Sequence, residues 1–389
     1  MARPVRAGCG PTRSRPSGLD VATIVRAHGA AVRRQQALSR EQRQALRALA
    51  VCRTPALGGH VDVCSRCGFE RPAYHSCRNR HCPKCQSLAQ ARWIDQRMRR
   101  VVDVDYFHVV FTLPAALRPL ALAHRRRVFA LLMRAAAQTL LTLGRDPKRL
   151  GAELGITAVL HTWTRELEFH PHVHCIVTAG GLTADGRRWC PARQRHLFPV
   201  KVLGALFRGK VLAALQQSLA RGERSSPDPV ATRRSIGALH GTPWLVYVKR
   251  PFGGAKRLFQ YLGCYTHRVG LSSQRLVARD AVTFRTKDGR TLTLPPEEFL
   301  RRLLLHVLPA GFVKIRHSGL FASRQVSTSL PIAQRLLADR QPIEHTEPPS
   351  NWTALLQRLT GIDLSRCPRC EQSTLDRRAL SPYAERPPP

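Results

Sequence analysis

The stretch His170-Pro171-His172-Val173-His174-Cys175-Ile176-Val177 alternates imidazoles with apolar side chains over most of its length. Successive side chains of a β-strand point to opposite faces. A strand here sets His172 and His174 on one face and Val173, Cys175 and Val177 on the other. The apolar face predicts packing on a core. Two imidazoles at i and i+2 predict a rigid platform for one cation. In an arbitrary protein such a pair is more often two exposed strand histidines, so its meaning depends on the rest of the chain.

Outward from this strand the pattern is mixed. Residues 106–113 form a β-type run stopped by Pro114, and 156–163 pairs naturally with 172–178 through a short polar turn. In the Leu- and Ala-rich segment 117–143, Phe129, Leu132, Ala136 and Leu140 recur at helical spacing. A strand over 244–249 and a helix over 256–269 follow. Strands at 282–287 and 290–294 flank Asp288-Gly289, a hairpin turn, and a helix runs from 296 to about 307. Strands and helices mixed with a hairpin predict an α+β domain, not a doubly wound sheet. Before it lie a basic arm over 1–19, a helical pattern over 20–51, a Cys/His-rich segment over 52–85 and a polar stretch over 86–100. The resulting division is arm 1–19, zinc-binding DNA-binding domain 20–100, α+β domain 101–320, and a basic, Pro-rich tail 321–389 with a lone Cys-x2-Cys.

Lys and Arg number 63 against 25 Asp and Glu, a formal net charge of +38. A fold that repels itself so strongly is suited to a polyanion, and nucleic acid is the commonest. A membrane surface is the rival partner. No lipidation motif, signal peptide or long uncharged apolar run supports it, which predicts a cytoplasmic, nucleoid-associated protein.

Six of the twelve cysteines fall between Cys52 and Cys85. Cys64-x2-Cys67 and Cys82-x2-Cys85 are fourteen residues apart, and two such knuckles predict one tetrahedral structural zinc held by Cys64, Cys67, Cys82 and Cys85. Cys52, His60, Cys77 and His81 are candidates for a second site. Cys367-Pro368-Arg369-Cys370 is a third knuckle without an evident mate. Arg78, Arg80 and Lys84, set among the ligands, are candidate DNA contacts.

The stretch Phe259-Gln260-Tyr261-Leu262-Gly263-Cys264-Tyr265-Thr266-His267-Arg268 puts Tyr261 and Tyr265 four apart, on one face of a helix. Alone, such tyrosines are more often packing residues. Beside a His-x-His strand and a large positive charge, they match what metal-assisted phosphodiester cleavage requires: a cation to screen the scissile phosphate and a phenol to attack it. A phenol's reference pKa near ~10 makes such assistance necessary at neutral pH.

These residues together resemble the HUH endonucleases, and among them the two-tyrosine rolling-circle transposases of the insertion sequence 91 family. The resemblance extends from about 38 to 370. It rests on the segment Tyr74-His75-Ser76-Cys77-Arg78-Asn79-Arg80-His81-Cys82-Pro83-Lys84-Cys85-Gln86, the His172-Val173-His174 strand and the Tyr261/Tyr265 helix. Pro251-Phe252-Gly253-Gly254 and Lys314-Ile315-Arg316-His317 are further shared blocks. The resemblance implies a zinc-ribbon-like domain followed by an HUH domain, an antiparallel sheet flanked by helices. It implies nicking and rejoining of single DNA strands at element ends through a phosphotyrosine. Catalytic Mg²⁺ or Mn²⁺ would sit on His172 and His174, structural Zn²⁺ on the cysteines, and DNA on Arg78, Arg80, Lys84 and Arg268. A third ligand to the catalytic cation comes from His161, Glu168 or His267. A rolling-circle replication initiator shares the chemistry but not usually the zinc segment. A non-enzymatic zinc regulator would leave the histidines and tyrosines without a role. A zinc hydrolase lacks the helical His-Glu-x-x-His motif.

Overall fold

The computed structural model describes residues 19–98, 100–193, 197–221, 234, 236–249, 271–278, 280–286, 289–338, 353–354, 356–357, 361, 363–372 and 375–383. The arm before residue 19, the block 251–254 and the expected helix 256–269 lie outside them. Two capped helices open the fold. Asp20 accepts the Thr23 N–H at 2.8 Å to start α1 (Val21–Gln35), and Ser39 and Gln42 form a reciprocal capping box at the start of α2 (Arg40–Ala50). Strands β1 (Gly59–Cys64) and β2 (Glu70–Tyr74) and helix α3 (Ser87–Met98) complete the N-terminal part.

The middle of the chain comprises β3 (Tyr106–Thr112), α4 (Arg118–Ala123), α5 (Arg125–Arg145), β4 (Glu153–Trp163), β5 (Phe169–Leu182), β6 (Trp189–Pro191), α6 (Val200–Ala220) and β7 (Val246–Lys249). Strands β8 (Leu276–Ala278), β9 (Val282–Arg285) and β10 (Thr291–Leu294) make a small antiparallel sheet, with Gly289 at φ +89° in the expected turn. Helix α7 (Pro296–Leu305), β11 (Ile315–Gly319), α8 (Ser329–Leu336) and β12 (Leu375–Leu380) follow.

The principal sheet has the order β11-β4-β5-β3-β7, with β6 on β5, and all its pairings are antiparallel. Opposed residues of an antiparallel pair share a face. Val173, Cys175 and Val177 of β5 lie opposite Leu160, Ala158 and Ile156 of β4, and opposite Phe111, Val109 and Phe107 of β3. All nine are buried in one core. Helices α5 and α6 cover that face: Phe129, Leu132, Ala136 and Leu140 come from one, Leu203, Phe207 and Val211 from the other. The helical spacing in α5 is therefore a core stripe, and Phe207 meets Phe111 with ring centroids 4.8 Å apart. The opposite face of the sheet carries the histidines. The chain is thus α+β, with an antiparallel sheet and helices packed against it.

Packing crosses two of the boundaries drawn from composition. The first, at residue 100, separates segments that share a core: Ile24, Val25, Leu46, Leu49, Cys52 and Cys82 pack in one cluster with Phe284, Phe299, Leu300 and Leu304. The second, at residue 320, cuts another cluster, where Leu330, Ala333 and Leu337 pack with Tyr106 and Ile176 of the main sheet. The segment expected to be a tail also returns to the N-terminal part. Strand β12 pairs antiparallel with β1, giving a three-stranded sheet ordered β12-β1-β2. Local composition carries no mark of pairing between strands some 300 residues apart, since a basic surface strand and a basic tail read alike. Among the described residues no helix is long and apolar enough to cross a membrane.

Because Phe207 is fully buried against the sheet, Phe207→Ala should cost about 3–5 kcal/mol of stability, the usual effect of truncating a core aromatic. Denaturant titration measures it. A loss well under ~1 kcal/mol would mean that α6 does not cover the core face.

Candidate metal centres and their surroundings

Strand alternation places His172 and His174 on the face of β5 away from α5 and α6, while Val173 between them is fully buried. His161 of β4 lies directly opposite His172. The three imidazoles converge: each offers one ring nitrogen, and these nitrogens all lie within 4.8 Å of one another. Ring centroids are 4.2 Å apart for His161 and His174, 4.8 Å for His172 and His174, and 5.4 Å for His161 and His172. Of the three sequence candidates for a third ligand, the fold delivers His161. Glu168 is exposed and outside the cluster, and His267 lies outside the described residues.

Hydrogen bonds set the ring orientations. His172 Nδ1–H donates to the His170 carbonyl at 2.7 Å, which leaves Nε2 as the free lone pair. His174 Nδ1 sits 2.7 Å from His108 Nε2, and the two rings stack at 5.0 Å, which fixes the orientation of the His174 ring. Burial holds His172 down at about 4 and His161 well below its ordinary value. Both are therefore neutral near neutral pH, the form in which an imidazole binds metal. His108, on β3 beside β5, is also held down at about 4 by burial. Sequence reading passed over it; the one signal was a polar residue inside an otherwise apolar strand. The shared block at 314–317 edges this site: Leu160 N–H donates to the Lys314 carbonyl at 2.9 Å, and His317 lies 3.0 Å from both Thr157 Oγ1 and Arg97 Nη1.

The cysteines group differently from the spacing argument. Cys64 and Cys67 do not join Cys82 and Cys85. Cys82 and Cys85 gather with Cys52 and Cys77, whereas Cys64 and Cys67 gather with Cys367 and Cys370. The reason is topological. Cys52 follows α2 directly and packs in the α1–α2 core beside Cys82, while β1 carries Cys64 away toward β12. In the first group Cys52 Sγ lies 3.2 Å from Cys85 and 3.6 Å from Cys82, and Cys77 is 3.6 Å from Cys85. Thiolates around one tetrahedral zinc, with Zn–S near ~2.3 Å, sit about 3.8 Å apart. The donor set therefore fits Zn²⁺. Asn79 braces the loop, since its carbonyl accepts from Cys82 N–H at 3.0 Å and from Gln86 Nε2 at 2.9 Å.

Neither extra histidine is a ligand in these groups. His81 accepts the Leu308 N–H on Nε2 at 3.1 Å, so its Nδ1–H donates to Asn79 Oδ1, 3.1 Å away. His60 lies 3.9 Å from Asp62. The candidate DNA contacts also separate. Arg80 Nη1 donates to the Phe312 carbonyl at 2.8 Å, and Lys84 pairs with Asp20, so both hold the cysteine module to its own neighbours. The Arg78 side chain is exposed. Tyr261, Tyr265 and Arg268 lie outside the described residues.

Comparison with known proteins agrees with this architecture. Residues 24–113 match the family described as "Transposase zinc-binding domain", and 155–328 match the family described as "Putative transposase". The chain is 42% identical over 376 residues to "Putative transposase y4qJ" of Sinorhizobium fredii (strain NBRC 101917 / NGR234), covering 92% of this chain and 94% of that protein. It is 29% identical over 349 residues to "Transposase for insertion sequence element IS801" of Pseudomonas savastanoi pv. phaseolicola, covering 82% of this chain and 79% of that protein. No solved structure matches. The chain belongs to the insertion sequence 91 family of transposases. It is accordingly an enzyme that acts on DNA and carries an N-terminal zinc-binding domain.

The two arginines of the cysteine loop should behave in opposite ways. Arg80→Ala removes a charge-assisted bond to a backbone carbonyl and should lower stability by about 1.5–3 kcal/mol. Arg78→Ala should leave stability within ~0.5 kcal/mol of the wild type and weaken DNA binding. Thermal melts and a filter-binding titration read both. Equal stability losses in the two variants would contradict the placement of Arg80.

Proposed function

We propose that this transposase is a metal-assisted tyrosine endonuclease of the HUH type, which nicks and rejoins single DNA strands in rolling-circle transposition. The observation that carries the reading is the cluster His161, His172 and His174 on adjacent central strands of an antiparallel sheet. Three imidazole ligands add no negative charge, so a cation held there would present its full charge to a phosphodiester and polarise it for attack. Mg²⁺ takes oxygen ligands and keeps several waters. Of the two ions the resemblance implies, Mn²⁺ better suits three nitrogens.

In this reading the phenol oxygen of Tyr261 or Tyr265 bonds to phosphorus and loses its proton. The P–O3′ bond breaks, and the departing oxygen takes up a proton to become a free 3′ hydroxyl. The 5′ phosphate stays on tyrosine as a diester of similar energy, so a second 3′ hydroxyl can reverse the step and rejoin a strand. Two phenols four residues apart in the sequence provide an attachment point for each of two strand ends. His161, His172 and His174 act as ligands, with His108 and the His170 carbonyl orienting two of them. The four sulfurs of Cys52, Cys77, Cys82 and Cys85 hold structural zinc that joins α2 to the following loop. Single-stranded DNA at element ends is the substrate, with the +38 charge supplying most of the affinity.

The test is nicking of a labelled single-stranded element end. His172→Ala combined with His174→Ala should abolish cleavage while DNA binding falls less than about tenfold, because phosphate contacts dominate affinity. Mn²⁺ should restore metal-stripped wild type but not the variant. Wild-type cleavage by the variant would mean the histidine face is structural only.

A further inference from the structure

The second cysteine group joins the two ends of the chain. Cys64 Sγ lies 3.6 Å from Cys370 Sγ and Cys67 Sγ lies 3.6 Å from Cys367 Sγ, across sequence separations of 306 and 300 residues. All four sulfurs fall within 4.8 Å of one another. That is one compact set, with spacing close to the ~3.8 Å expected around tetrahedral zinc.

The backbone supports the same reading. In the first knuckle, Cys64 N–H donates to the Phe69 carbonyl at 2.9 Å and Gly68 N–H donates to the Cys64 carbonyl at 3.0 Å. In the second, Cys367 N–H donates to the Gln372 carbonyl at 2.9 Å and Glu371 N–H donates to the Cys367 carbonyl at 2.8 Å. The residue after each second cysteine is left-handed, Gly68 at φ +65° and Glu371 at φ +58°. Glycine takes that conformation freely, but a glutamate there is uncommon. Its adoption by Glu371 is what makes the two knuckles superimposable in hydrogen-bond pattern. Arg369 N–H also points at Cys367 Sγ, at 3.4 Å. Each turn carries an arginine, Arg66 and Arg369.

The strands attached to the knuckles are pinned together by one buried carboxylate. Asp62 of β1 lies opposite Arg71 of β2 and Arg377 of β12, and it accepts from Arg71 Nη2 at 2.9 Å and Arg377 Nε at 2.8 Å. Arg71 Nη2 reaches onward to the Leu364 carbonyl, 3.0 Å away, just before the second knuckle. The zinc-domain family match ends at residue 113 and the transposase match at 328, so half of this ligand set lies beyond both.

We propose that Cys64, Cys67, Cys367 and Cys370 bind a second zinc ion, separate from that of Cys52, Cys77, Cys82 and Cys85. This ion clasps the C-terminal segment onto β1 and closes a loop of chain that contains the transposase domain. On binding, the thiol protons pass to solvent and four thiolates surround Zn²⁺. The resulting excess of negative charge lies among Arg66, Arg369 and the other cations of both segments. Closing so long a loop without a cross-link is entropically unfavourable, which is what the metal offsets.

Metal content of the full-length protein tests this without reference to DNA cleavage, so it can fail while the nuclease reading stands, and the reverse. Wild type prepared with reductant should hold two zinc ions per chain. Cys370→Ala should hold one and should release the C-terminal segment to limited proteolysis. Cys370→His, which keeps a ligand, should hold two and resist. Cys82→Ser with Cys85→Ser should lose the other ion and keep this one. One zinc in wild type, or equal zinc in the alanine and histidine variants, would overturn the proposal. So would alkylation mapping that finds these four sulfurs as two disulfides in metal-loaded protein.

Discussion

The antiparallel pairing of β4 with β5 is the constraint on which the other features depend. With His161 set opposite His172 and Leu160 opposite Val173, the two central strands are divided into an apolar face and an imidazole face. The first is sealed by α5 and α6, and the second carries the histidine cluster. A slip of one residue in β5 would turn Val173 outward and bury His172 and His174 against Phe129 and Leu132, and a slip in β4 would do the same to Leu160 and His161, so the core itself enforces the geometry of the site. Rigidity follows from the same source. Imidazoles on two hydrogen-bonded strands cannot drift apart as loop residues can, and the His170 carbonyl and His108 fix ring rotation as well as position.

The cysteine module has a larger role in the architecture than a domain appended for DNA contact. Three of its polar groups are engaged with other parts of the fold: Gln42 Nε2 with the Leu304 carbonyl, Arg80 with the Phe312 carbonyl and His81 with the Leu308 N–H. Its helices share a core with α7 and the β8–β10 sheet. Metal loss there would disturb the support of β11, and with it one edge of the histidine sheet. The exposed arginines, Arg78 among them, remain for the polyanion that a net charge of +38 implies.

Much of the histidine site was legible because its logic is local. Alternation in β5 and the apolar run of β3 follow from a two-residue period, and the stripe in α5 follows from a helical one. His161 could be named as a candidate, since it lay on the strand before, but choosing it over Glu168 required the register. The sulfur sites were legible only in part. Knuckle spacing marks a pair of thiols as ligands and says nothing about which pairs meet. Cys52 and Cys77 carry no knuckle between them, and Cys367 and Cys370 find their partners through a β1–β12 ladder that no short-range pattern announces. At Arg80 and Lys84 the sequence shows a cation but not the carbonyl or carboxylate it meets within the fold.

We propose that DNA becomes covalently joined to this chain through the phenol of Tyr261 or Tyr265. The direct measurement is peptide mapping of the adduct trapped on a single-stranded element end. The account predicts DNA on Tyr261, Tyr265 or both, and no adduct when both are changed to phenylalanine, although that protein folds and binds DNA. A normal adduct in the double phenylalanine variant, or attachment at any other residue, would contradict it.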